Sequence, residues 1–181
     1  VALAELDGLA FGGGPGAFTG LRIACGVVQG LALGANLPVV PVSSLAAVAE
    51  QVPAAPGAVV LVCNDARMGE VYWGVFRREA DGSITPLSGE AVSPPDGVGA
   101  GMPAAGHVAG NALPRYPALA ERLREAGLQL HEGFYPRADA IARLGAIELG
   151  AGRGVPAEQA LPVYVRDDVA RPSGIAVTGL S

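Results

Sequence analysis

Histidine, cysteine and lysine carry much of protein chemistry, and this sequence gives them little to work with. The only histidines, His107 and His131, are 24 residues apart and flanked by loop signals. A metallopeptidase-type site needs clustered ligands, as in HxxxH on one helix face. Both histidines therefore read as surface or packing residues, and no metal is assigned. Cys25 and Cys63 lie far apart in apolar runs with no CxxC, the pattern of buried free thiols in a reducing compartment. All 12 cations are Arg. A P-loop Lys, a Schiff-base Lys and a catalytic Lys base are thereby excluded within these residues. No GxSxG elbow supports a Ser hydrolase. The reading assigns no catalytic residue and no cofactor.

The segment that says most is GGGPGAFTG, Gly12 to Gly20, and the helix it opens. Backbone N–H groups at a helix start bind anions, which makes Gly14 and Gly16 candidates for a phosphate's vicinity. The pattern is neither GxxxxGK[ST] nor GxGxxG, and Pro15 removes a donor, so a tight turn is the better default. The spacing predicts a helix from about Phe18 to Leu33, closed by Gly34 and Asn36. Leu21, Ala24, Cys25, Val28, Leu31 and Ala32 form its apolar stripe toward the core. Gly26, Gly30 and Gly34 recur every four residues on another side. An interior Gly costs a helix about 1 kcal/mol relative to Ala, so two of them need a reason. Close approach of another backbone supplies one. That backbone belongs either to the same chain or to a second protein. Arg22, in the first turn, is mildly disfavoured by the helix dipole. An external carboxylate or simple solvation would resolve it.

The elements around this helix follow from period and punctuation. Leu9 to Gly12 reads as a short buried strand and Pro38 to Val42 as another. Ser43 or Ser44 caps a second helix reaching about Gln51. Pro53 to Gly57 divides the chain into two parts, 1–53 and 54–181. Ala58 to Cys63 and Val71 to Phe76 form a hairpin around a turn at Asp65 to Gly69. A strand at about Ile84 to Leu87 follows, then a Pro/Gly-rich loop from Ser93 to Pro103. His107 to Ala109 reads as a strand, and Pro117 to Ala126 and Arg137 to Leu149 as helices. Leu161 to Arg166 is a last extended piece, and the tail after Arg171 is expected to be loose. Tyr72, Trp73 and Tyr164 read as sheet-packing aromatics. There is no internal repeat. This is an α/β chain with mixed sheets covered by helices.

Composition fits that picture. Of 181 residues, half are apolar and 16 % are charged, which leaves ample core. The net charge of −5 gives no general attraction for a phosphate backbone. Ile23 to Ala35 is the most apolar stretch, interrupted by Gln29 and short of the ~20 residues that span a bilayer. The expected location is cytoplasmic, with no membrane contact. The chain opens at Val1, inside an apolar pattern, so an N-terminal segment is expected to precede it.

Several motifs together resemble one family. Ala10 to Ile23 resembles the GxGPGSFTGxRxG signature of the TsaB (YeaZ-like) proteins, and Gln29-Gly30-Leu31-Ala32 continues it. Pro41-Val42-Ser43-Ser44-Leu45 resembles the strand–helix junction that follows. Asp65 to Tyr72 is similar to the DARxGEVY hairpin of the same family, and Pro162 to Arg166 to its closing PxYLR. The matches run in order along almost the whole chain. The resemblance implies a two-lobed actin/Hsp70/acetate-kinase-type (ribonuclease H-like) fold with its first lobe incomplete. It implies a non-catalytic scaffold for TsaD, the paralogue that transfers threonylcarbamoyl to a tRNA adenosine. A TsaE-type ATPase would join, a homodimer could use the same surface, and tRNA would be met only through the complex. Phe18, Thr19, Arg22, Ile23, Gly26, Val27, Gly30 and Leu33 would then form the partner interface.

Two departures stand out. The strand hairpin and helix with which the family begins are absent here. Ala17 stands where the family has Ser, removing a helix cap at about 1 kcal/mol. Two alternatives remain at this point. One is a glycoprotease-like metallopeptidase, which the histidine spacing disfavours. The other is a nucleotide-binding or ATP-hydrolysing protein of the same fold. For that reading Gly14, Gly16, Asp65, Arg67, Gly110 and Asn111 are the candidates. The plainer reading makes Asp65 a turn cap partnered by Arg67, and Gly110-Asn111 an ordinary turn.

Overall fold

A computed structural model of the chain describes residues 2–101 and 103–165. Two sheets share the core. In the first, β1 (Leu9–Gly14) pairs in parallel with β2 (Val39–Ser43). Parallel strands need a crossover, and α1 (Phe18–Ala35) supplies it. The helix runs through Gly34 and stops at Asn36, whose left-handed conformation (φ 54°) turns the next amide, that of Leu37, back onto the Ala32 carbonyl at 3.0 Å. Alternation along the strands sets the two faces. Phe11 and Val39 pack under α1, whereas Ala10, Val40 and Val42 pack under α4 (Ala138–Gly150). Gly145 of α4 lies so close to the Ala10 methyl that a side chain there would overlap it.

The second sheet runs β5-β4-β3-β7-β8. The expected hairpin is β3 (Val59–Arg67) against β4 (Glu70–Arg78), antiparallel. Its turn is left-handed at three successive residues, Arg67, Met68 and Gly69. β5 (Ile84–Pro86) edges β4, and β7 (His107–Gly110) lies parallel to β3. Two strands lie where none was expected. β6 (Ala91–Ser93) borders the Pro/Gly-rich loop and pairs with β4. β8 (Gln129–Glu132) is a polar edge strand with no apolar run to reveal it.

α2 (Ser44–Gln51) joins the two sheets. The Ser43 hydroxyl caps it, accepting from the amides of Leu45 (3.1 Å) and Ala46 (3.0 Å). Leu45, Val48 and Val52 pack on Val60, Val62 and Phe76 of the second sheet, whereas Ala47 packs with Val40 and Ile141. α3 (Pro117–Glu125) covers the opposite face with Leu119 and Leu123 over Leu61, Trp73 and Val75. Arg143 of α4 grips Glu50 of α2 with Nε and Nη2, at 2.7 and 2.9 Å. The strands of the first sheet precede the 52–58 loop and those of the second follow it. The cover of the first sheet nevertheless draws on residues 138–160, because α4 and Val155, bonded to Val39, return to it.

Candidate partner-docking face

α1 begins at Ala17, which offers no side-chain cap. Its inner side buries Leu21, Cys25 and Ala32, with Ala24 and Val28 half-buried. Leu31 was expected in this stripe and is exposed instead. Ten residues beyond Leu21 is about 80° short of three full turns at 3.6 residues per turn, which carries Leu31 past the stripe's edge.

The outer side is unlike an ordinary surface helix. Ile23, Val27 and Leu33 are 62, 56 and 67 % exposed. Phe18, Thr19, Arg22, Gly26 and Gly30 are exposed with them. A methyl group built on Gly26, Gly30 or Gly34 would meet nothing within 4 Å. Among the described residues, then, the chain supplies no internal neighbour that explains these glycines. The candidate interface residues do share one open surface, and Arg22 is the only charged residue in the α1 sequence. By length and composition alone α1 could cross a membrane, more than its sequence suggested. One stripe of it, however, is committed to the core beneath.

Arg22 is held within the chain rather than left to solvent. Its guanidinium carbon lies 3.6 Å from the centre of the Phe18 ring, and its Nε donates to the Tyr164 hydroxyl at 3.2 Å. The Tyr164 and Phe18 rings are 5.2 Å apart. Tyr164 is therefore not a sheet-packing residue, in contrast to Trp73, which is buried and donates from Nε1 to Ser93 Oγ at 2.9 Å. Residues 160–164 form a strap along α1. The Cys25 thiol and the Gln29 amide both donate to the Ala160 carbonyl, at 2.9 and 3.1 Å, and the Val163 amide donates to Gly13. Sequence reasoning saw an extended piece here but not its place on the face. Arg22 and Tyr164 are 142 positions apart, beyond any local signal. Arg166 and the tail after Arg171 lie outside the described residues.

The nucleotide candidates partly converge. A cleft of about 600 Å³ opens between the start of α1 and the β3–β4 turn, and Gly16, Asp65, Arg67 and Asn111 all line it. Gly14 and Gly110 do not line it. Both have positive φ and abut carbonyls, of Val163 and Cys63 respectively. Asp65 acts as the turn cap. Its Oδ1 accepts from the Arg67 amide (3.0 Å) and the Tyr116 hydroxyl (3.1 Å), and Arg67 lies 3.4 Å from its Oδ2. The Asp65 side chain is 11 % exposed and that of Arg67 85 %. The Asp65 amide in turn donates to Asn111 Oδ1 at 2.8 Å. The cleft's carboxylate is thus already engaged by the hairpin that carries it.

The two histidines do meet. They lie on neighbouring parallel strands, with His107 Nδ1 and His131 Nε2 3.1 Å apart. Sequence separation hid this because β8 was unrecognised. Burial, and then the neighbouring His107, hold the His131 imidazole below its usual range. No group of three or more potential metal ligands forms among the described residues. Cys25 and Cys63 are buried free thiols, and burial pushes the Cys63 thiol well up.

Known proteins share this arrangement. Residues 1–130 match the family model described as TsaD, tRNA N6-adenosine threonylcarbamoyltransferase. The Escherichia coli tRNA threonylcarbamoyladenosine biosynthesis protein TsaB is 38 % identical over 175 residues, 93 % of this chain and 74 % of that protein. The Haemophilus influenzae protein of the same name is 48 % identical over 82 residues, 44 % of this chain and 34 % of that one. The solved structure of YeaZ from Pseudomonas aeruginosa superposes with a TM-score of 0.79 at 43 % identity. It covers 91 % of this chain and 76 % of its own. These likenesses bear out the actin-like, ribonuclease H-like α/β fold expected from the motifs. In sequence and in fold, the chain belongs to the TsaB family.

Proposed function

We propose that this chain is a docking subunit for tRNA threonylcarbamoyladenosine synthesis, and that it works by presenting the outer face of α1 to a TsaD-type catalytic partner. One observation carries the reading. An 18-residue helix exposes apolar side chains and glycines with open space above them. An open apolar surface of that kind on a folded protein marks an interface. Glycines allow a second helix to approach closely, which favours a helical partner. The names of the relatives and the TsaD-type family match support the choice of partner. A TsaE-type ATPase joins the assembly in this reading, and the location is cytoplasmic. tRNA is reached through the partner, since a chain of net charge −5 has no electrostatic hold on a phosphate backbone of its own.

The chain would act by stabilising the partner's working conformation rather than by touching the reacting atoms. The test is gel filtration of the chain with its TsaD-type paralogue, with and without Gly30→Leu. The space above Gly30 lets the isolated chain accept the new side chain, so fold and thermal stability should persist while the complex is lost. Co-elution unchanged by Gly30→Leu would refute the reading. A second reading, a nucleotide in the cleft, has the 600 Å³ volume in its favour. Against it stand the absence of Lys and the pairing of Arg67 with Asp65.

A further inference from the structure

The cleft between the start of α1 and the β3–β4 turn holds polar groups that the fold leaves unused. Two of its lining side chains are polar and more than nine-tenths buried, Ser44 at 6 % exposed and Asn64 at 7 %. The Ser44 hydroxyl has no hydrogen-bond partner among the described residues, since the cap of α2 is Ser43. Asn64 Oδ1 faces the Asn111 amide at 3.5 Å, and Asn111 Oδ1 accepts from the Asp65 amide at 2.8 Å. These contacts fix which end of each side chain carries the oxygen. The two NH2 groups lie at the other ends, and neither donates to a described residue. Arg78 Nε is the one side-chain nitrogen or oxygen of the described residues that is sealed from solvent without a partner. The Ser44 hydroxyl and the Asn64 NH2 group consequently stay open, and the space they line is the cleft. A nearly buried donor left without an acceptor is costly, and a ligand's oxygen would remove that cost.

The rest of the cleft limits what that ligand is. Phe18, Tyr135 and Tyr164 line it with aromatic rings, which suits a flat body. Its charged lining residues are Asp65 and Arg67. The Arg67 guanidinium stands in solvent and the Asp65 carboxylate does not, so the carboxylate is screened less. An anion entering the cleft would meet that carboxylate. A cation would meet NH2 groups, which present only their positive ends. We propose that the cleft binds an uncharged planar ring carrying carbonyl oxygens, a cyclic amide or imide. Asn64, Asn111 and Ser44 donate to the oxygens, and the ring lies against Phe18, Tyr135 and Tyr164. Pyrimidine nucleosides and cyclic dipeptides share this chemistry. Such a site differs from a nucleotide site in having no use for a phosphate, and it does not depend on what covers the outer face of α1.

Nuclear magnetic resonance titration of the 181-residue chain tests this, read at the side-chain NH2 signals of Asn64 and Asn111. The probes are uridine and a cyclic phenylalanine–proline dipeptide. At least one should move both NH2 signals saturably, and which one does so names the source. Cytidine, in which an amino group replaces a carbonyl, should bind about tenfold more weakly than uridine, because a donor then faces a donor. Uridine 5′-monophosphate should also bind about tenfold more weakly than uridine, through its added charge near Asp65. The linear dipeptide, with its two charged ends, should likewise fall about tenfold below its cyclic form. Ser44→Ala removes no hydrogen bond among the described residues, so it should leave Tm unchanged while weakening the bound ring about tenfold. If neither ring moves the signals, the site is overturned. If cytidine or the monophosphate binds as tightly as uridine, or the linear dipeptide as tightly as the cyclic one, the chemistry is overturned. A Ser44→Ala chain that binds the ring unchanged overturns its placement.

Discussion

Replacing Gly26 and Gly30 together by Ala should make the chain more stable and its docking worse. Each Gly in a helix interior costs about 1 kcal/mol relative to Ala, partly through the freedom it adds to the unfolded chain. A methyl at either position meets nothing within 4 Å among the described residues, so no strain from them offsets the gain. Two such substitutions, one helical turn apart, together give up to about 2 kcal/mol. For a chain of this size, that is roughly 4–8 °C in Tm. In the complex the same two methyls enter a close backbone contact. Overpacking of that kind costs about 1–3 kcal/mol, or roughly 5- to 150-fold in affinity for the paralogue. Circular dichroism melting and calorimetric titration with the paralogue measure the two effects on one sample. A lower Tm would mean that the chain already covers these glycines. A higher Tm with unchanged affinity would mean that no partner approaches there. Either result refutes the reasoning.

Further consequences follow from the buried groups. Gly110→Ala should destabilise the fold by about 3 kcal/mol, read by chemical denaturation. Its φ is +130°, and a Cβ there would overlap the Cys63 carbonyl, a neighbour fixed in β3. Burial pushes the Glu90 carboxyl above its ordinary 4.5, partly offset by the hydrogen bond from Ser43. A raised carboxyl favours the folded state while protonated, and that advantage is lost as pH rises through the folded value. Glu90→Gln keeps an acceptor for Ser43 but carries no charge. Its stability relative to the parent should therefore climb as pH rises from about 4.5 toward neutrality, and a flat difference would contradict the assignment. Titration of the chain with Mg–ATP should show no micromolar binding, because the cleft offers a phosphate no Lys and an Arg67 already facing Asp65. Micromolar binding with turnover would favour the nucleotide reading.

Much of the molecule could be read locally. The glycine turn, the long helix and its Asn36 stop, the Ser43 cap and the β3–β4 hairpin each depend on residues within a few positions of one another. Period and turn chemistry therefore sufficed for them. The TsaB family was legible for the same reason, since its motifs lie in these short segments. The pairing of Asp65 with Arg67 was also visible, being only two residues long.

The rest depended on contacts between distant positions. β8 has no apolar run, and it exists as a strand because β7 offers an edge to pair with. That pairing brings the two histidines together across 24 residues. Whether the glycines of α1 were filled from within or left open could not be read from their spacing, because a four-residue repeat looks the same in either case. Only the placement of the other described elements shows that none of them fills the space above these glycines. Likewise, Arg22 looked unpartnered in sequence, and the fold alone carries Tyr164 back to meet it. The sequence alone determined which surfaces could form, through the period of its side chains. The tertiary structure decided which of them stayed uncovered, because burial depends on what the whole chain brings to each face.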